Sequence, residues 1–221
     1  MKHISSDTYT VAWFKLADYI ARGEKERALG VFRLLSHSFD DSALACQLYG
    51  DILRSFGDLQ AVEKYQQAAE LYRARKQWIQ SAAVYEHIIT MQPENDDVKM
   101  KLIELYQQLH IRSKVVHYWQ QLVQSLLKKN EWKQAIAIAM EYEVIGDDAA
   151  VAQLHEHLLF HLVSRKDVLS DTIMVHAKKA IDAWHALDNT HAIGQLLSKL
   201  HAAHEVVALQ AQEYWQSIST Q

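Results

Sequence analysis

The chain has 221 residues, enough for one large domain or two small ones. It contains 1 Pro and 6 Gly where ordinary usage supplies about 11 and about 15, too few turn formers for a many-stranded sandwich or barrel, so an almost wholly helical fold is expected. A net charge of -4, the absence of any apolar run of about 18 residues, and an opening Met1-Lys2-His3-Ile4-Ser5-Ser6-Asp7 without a secretion signal point to a cytoplasmic protein with no nucleic-acid partner and no membrane insertion.

Apolar residues recur at three- and four-residue spacing, and caps and breakers divide the chain into about twelve predicted helices. The first two, 8–22 and 25–37, are parted by Arg22-Gly23-Glu24, and the third, 42–56, follows Asp40-Asp41-Ser42. Helices 59–75 and 77–91 follow Gly57-Asp58, and helix 96–109 starts at Asn95-Asp96-Asp97. Helices 112–129 and 131–145 come next, Asp147-Asp148 opens helix 148–165, and helices 170–187, 189–202 and 204–219 complete the chain. The Asp and Asn oxygens at these starts can accept from the free amides of a first turn.

A shift of 54 residues aligns the chain with itself: Leu48 falls on Leu102, Tyr65 on Trp119, Tyr72 on Leu126, Trp78 on Trp132 and Ser81 on Ala135. A shift of 53 places Tyr19 on Tyr72, Ala28 on Ser81 and Phe32 on Tyr85. Small residues falling on small ones, and large mostly on large, are what stacked units require, because each presents a ridge of set size to the next. The expectation is a helical solenoid with Trp78 and Trp132 as buried anchors.

Residues 62–95 resemble a tetratricopeptide repeat, with Tyr65, Ala68-Ala69, Tyr72, Ser81, Tyr85 and Pro93 at the signature offsets. Trp119, Leu122-Val123, Leu126, Ala135 and Ala139 repeat the spacing less faithfully, as do Leu16, Tyr19, Gly23, Ala28 and Phe32. The resemblance implies an all-α fold, a right-handed α-solenoid of antiparallel helix pairs. Residues 1–147 read as repeats, and 148–221 as divergent repeats or C-terminal capping helices continuous with the same stack. Helix 59–75 scores both as the second helix of one repeat and as the first of the next, which leaves the identity of the groove-lining helices open.

Candidate chemistry is sparse. His155, His157 and His161 form the densest histidine run, and His157 and His161, one turn apart, could reach one zinc ion; but His-Glu-x-x-His is absent, and the plainer reading is histidines on a semi-exposed helix face. Cys46 sits at helical spacing with Ala43, Tyr49 and Gly50 and reads as a packing residue. The glycines form no phosphate loop. No enzyme, metal or cofactor is implied. Basic groups at Arg73-Ala74-Arg75-Lys76, Lys99 with Lys101, Lys128-Lys129 with Lys133, and Lys178-Lys179 read mainly as dipole complements.

The family's geometry puts Glu63, Gln66, Glu70 and Arg73 on the groove side of helix 59–75, and Met100, Glu104 and Gln107 share a face of helix 96–109 by spacing. Where relatives that clamp chaperone tails use Lys and Asn, this chain has Trp13 and Ala17. The expected function is a non-catalytic protein interaction scaffold or adaptor, holding a partner peptide or helix in the superhelical groove. The alternatives are a subunit of a larger assembly docking through its C-terminal helices and a metal-dependent enzyme using His155 to His161. In the first, the stripe of Val207, Ala211, Tyr214, Trp215 and Ile218 either seals the solenoid or meets another molecule. Nothing in the sequence specifies the oligomeric state.

Overall fold

The computed structural model describes residues 6–144 and 146–220, which form twelve α-helices and, among these residues, no strand. Every predicted helix is present. The chain divides into two compact units, one ending at Leu109 and the other beginning at His110. The first holds α1 (Ser6–Ala21), α2 (Lys25–Ser36), α3 (Ser42–Ser55), α4 (Gln60–Ala74), α5 (Trp78–Met91) and α6 (Asp96–Gln108). The second holds α7 (Arg112–Lys128), α8 (Trp132–Tyr142), α9 (Asp148–Val163), α10 (Ser170–Ala186), α11 (Thr190–Ala203) and α12 (Glu205–Ser219).

The three expected start signals act as caps. Asp41 accepts from the amides of Ala43 and Leu44, Asn95 from Val98, and Asp147 from Ala150. Helix α8 stops at Tyr142, short of residue 145, and Glu143 just beyond it pairs with Lys179 of α10.

One turn geometry recurs. At the ends of α1, α3, α4, α7 and α10 a residue enters the left-handed region: Gly23, Gly57, Lys76, Asn130 and Asp188, with φ of 73°, 67°, 59°, 65° and 54°. In each case the next amide donates to the carbonyl five residues back, as from Gln77 to Tyr72 at 2.9 Å and from Glu131 to Leu126 at 2.8 Å, satisfying carbonyls that the helix end leaves open. Gly23, Lys76 and Asn130 are 53 and 54 residues apart, the two shifts at which the sequence aligns with itself. The repeat is thus physical as well as textual.

Within the first unit each helix packs on the next. The approach is set by small residues: Ala28, Ala61, Ala68, Ala69 and Ser81 are fully buried, and so is Ala135, the repeat equivalent in the second unit. Tyr65 and Tyr85 are wholly buried rings whose hydroxyls still reach rim acceptors, Asp51 at 2.7 Å and Glu70 at 2.6 Å. Trp78 and Trp132 are both half-buried and not the buried anchors expected. Each is the first residue of its helix, where the side chain leans back past the helix end instead of into the stack.

In the second unit α10 packs on α9, α11 and α12 around Leu159, Leu162, Ile181, Leu196 and Leu200. Against this core lie Tyr214, Trp215 and Ile218, with Val207 and Ala211 inside it, so the terminal stripe packs on its own unit.

Gly50 of α3 makes the closest approach: a Cβ there would stand 2.8 Å from two ring carbons of buried Tyr65. Gly50→Ala is expected to destabilise the protein by about 1 to 3 kcal/mol despite the better helix former, because a wholly buried ring has nowhere to move. Gly30→Ala in α2, where a Cβ meets nothing within 4 Å, should stabilise it by about 0.5 to 1 kcal/mol. Urea midpoints of the two variants check this; a gain in both would refute the close approach.

Candidate functional site

Helices α4 and α6 run side by side in the same direction, because their cross-contacts keep one offset: Glu70 pairs with Lys101, 31 residues on, and Arg73 with Glu104 at the same separation. Between them lies a groove of about 680 Å³ lined by Glu63, Gln66, Gln67 and Glu70 from α4 and by Asp97, Val98, Met100, Lys101 and Glu104 from α6.

Of the residues singled out from sequence, Glu63, Gln66, Glu70, Met100 and Glu104 line this groove. Arg73 stands beside it, bonded to Glu70 at 3.1 Å and 3.6 Å from Glu104. Gln107 is exposed farther along α6 and outside the lining. Sequence reasoning missed Gln67, Asp97, Val98 and Lys101. Lys101 is no dipole complement: it sits in the first half of α6 and reaches across to Glu70 at 2.8 Å. The 31-residue offset was hidden because it is no multiple of the repeat period.

Glu70 is the hub. It accepts from Tyr85 Oη at 2.6 Å, Lys101 Nζ at 2.8 Å and Arg73 Nε at 3.1 Å. Burial alone would raise its pKa, but the Lys101 and Tyr85 bonds and the nearby cations outweigh it and hold the carboxyl below its usual range. Burial, then the bond to Glu70, pushes the Tyr85 phenol up. The groove wall is therefore tied to the core through one ionised carboxylate.

A second, smaller concavity of about 270 Å³ lies between α1 and α3, lined by Trp13, Leu16, Ala17, Ile20, Leu48 and Ile52 with Asp51 and Ser55. Trp13 and Ala17 thus form part of an apolar wall. Cys46 is half-buried, and burial raises its thiol pKa, which suits packing better than nucleophilic attack.

The histidine run is divided by its helix. His155 is wholly buried, contrary to the semi-exposed face expected, because α9 is covered by α10 along that side; His157 is exposed and His161 half-buried. Among the described residues no group of three or more His, Cys, Asp or Glu could hold a metal ion. His155 instead meets His176 of α10, with Nδ1 atoms 2.8 Å apart and rings stacked at 5.1 Å. Its Nε2 lies 2.9 Å from Glu143 Oε1, off the line of an N–H hydrogen bond, and Glu143 pairs with Lys179. His176 escaped sequence reading, although its spacing with Ile173, Ala177 and Ala180 marks the buried face of α10.

No family model matches the chain, and no curated protein does. Solved structures similar to it include BtubC (BKLC) from P. vanneervenii, 13% identical, covering 96% of this chain and 91% of that one with a TM-score of 0.36. A tetratricopeptide repeat protein from Parabacteroides merdae is 16% identical over 90% and 80% of the two chains, with a TM-score of 0.29. A chain of the structure of Naa15/Naa10 bound to HypK-THB is 12% identical, covering 93% of this chain and 39% of that one, with a TM-score of 0.27. Among the described residues no helix is long and apolar enough to cross a membrane.

The buried pair generates a pH dependence. Two imidazoles joined Nδ1 to Nδ1 cannot both be charged, since one must accept. Burial first, then Lys179 for His155, and then His155 and Lys179 for His176, lower both pKa values from 6.5 to about 4. Between pH 6.5 and pH 4 the unfolded chain takes up protons that the folded imidazoles refuse, so stability falls as pH drops through that window. One imidazole so shifted is worth on the order of 3 kcal/mol by pH 4. Urea unfolding across the window should show a shallower pH slope for the His155→Leu, His176→Leu double variant than for the parent; equal slopes would refute the assignment.

Proposed function

We propose that the protein is a non-catalytic interaction scaffold that holds a peptide segment or helix of a partner protein in the α4–α6 groove. The observation that carries this reading is the groove itself: two parallel helices bring Glu63, Gln66, Glu70, Met100 and Glu104 to one concavity, on a backbone held by wholly buried Tyr65 and Tyr85. A platform of this kind loses little conformational entropy on binding. Its polar side chains offer both donors and acceptors, and Met100, 40% exposed, offers a polarisable apolar contact.

Glu70 and Arg73 are poor probes of binding, because Glu70 also holds Tyr85 and Lys101 in place. Gln66 and Met100 make cleaner probes. Affinity purification with mass spectrometry supplies the partner, and Gln66→Arg with Met100→Arg should then weaken it by about 2 kcal/mol, roughly 30-fold, with a melting temperature close to the parent's. The comparison variant is Val206→Asp with Leu209→Asp on the exposed side of α12, 58% and 50% exposed. Loss of the partner in this second variant and not in the first would replace the groove with docking through the C-terminal helix.

A further inference from the structure

Resting on the groove reading above, we infer that the occupant of the α4–α6 groove is a cationic protein segment, with Lys or Arg side chains directed at the end marked by Glu63 and Asp97 and an apolar side chain lying on Met100. The groove wall carries four carboxylates, Glu63, Glu70, Asp97 and Glu104, against one ammonium, Lys101. The cations are already engaged within the fold, Lys101 by Glu70 at 2.8 Å and Arg73 by Glu70 and Glu104. Those pairs occupy the half of the groove toward the C-terminal ends of α4 and α6. The 31-residue offset that aligns them also sets Gln66 opposite Asp97 in the other half, where negative charge is left over.

At that end Asp97 is exposed and forms no ion pair among the described residues. It lies in the first turn of α6. Glu63, with two thirds of its side chain exposed, has Lys64 only at 3.9 Å and accepts from Gln67 at 3.0 Å. An acidic segment laid here would face like charge at both walls, and a neutral one would leave both carboxylates uncompensated. A cation meets two largely solvated charges, Asp97 without an ion pair among the described residues and Glu63 with only the distant Lys64. Glu63 and Glu70 are two helical turns apart, about 10 Å, which suits a short segment rather than a whole domain face.

The test uses the full chain and two labelled peptides of about 12 residues, one with lysines flanking a central leucine and one with glutamine for each lysine, read by fluorescence anisotropy at low and high salt. The lysine peptide should bind at least about tenfold tighter than the glutamine peptide and weaken as salt rises. Glu63→Gln with Asp97→Asn should weaken it by about tenfold, whereas Glu205→Gln with Glu213→Gln, the same charge change on exposed α12 positions, should alter it less than about twofold. Equal weakening by both pairs would mean attraction to net charge alone and overturn the inference. Equal binding of the two peptides, or no binding of the lysine peptide at about 1 mM, would also overturn it. The groove reading falls by a different result, since it depends on whether the purified partner responds to Gln66→Arg with Met100→Arg.

Discussion

Close approach between helices is the constraint on which the rest of this structure depends. Its helices run from 11 to 17 residues, too short to persist alone in water, so each must bury an apolar stripe on its neighbours. The distance is set by the smallest residues at the contacts: Gly50 under the ring of Tyr65, and Ala28, Ser81 and Ala135 at equivalent places in the repeat. Larger residues there would part the helices and undo the register of what lies above them. Ser81 satisfies its own polarity by donating to the carbonyl of Ala69 at 2.9 Å, so a hydroxyl is tolerated where only a small group fits.

The groove inherits its geometry from that packing. Tyr85 is wholly buried, yet its hydroxyl emerges at the wall and binds Glu70, which in turn holds a lysine from α6 and an arginine from α4. The charge pattern of the surface is therefore anchored in the core rather than carried on free side chains. This is why Lys101 and Arg73 are fixed to one half of the groove, and why neither reaches the carboxylates of the other half.

The second unit solves a different problem. Its interior is mostly aliphatic, with Tyr118, Trp119 and Ser125 buried in α7, and it holds His155 and His176, which share a hydrogen bond across α9 and α10 while Glu143 and Lys179 stand at the edge. A neutral imidazole pair keeps the interface hydrogen-bonded at neutral pH and makes it sensitive to acid, because burial resists the first proton and the pair's geometry forbids the second. The terminal stripe with Trp215 lies against this core, and Tyr214 donates to Asp182 at 2.6 Å, so α12 serves its own unit.

Local physics made much of this legible from sequence. Periodicity and short capping side chains located twelve helices, Asp41, Asn95 and Asp147 among the caps, and self-alignment at 53 and 54 residues located turns that the backbone repeats at Gly23, Lys76 and Asn130. Those features are written in neighbours a few residues apart, or in one residue's need for room. Helix α4 stayed ambiguous because its buried residues Ala61, Val62, Tyr65, Ala68, Ala69 and Tyr72 form two stripes, and α4 packs closely on both α3 and α5. The pairing of Glu70 with Lys101, the meeting of His155 with His176 and the half-burial of Trp78 were decided only in three dimensions. Each depends on the offset at which two separate helices lie against one another, and that offset is set by the summed packing of many small contacts, which no single stretch of sequence contains.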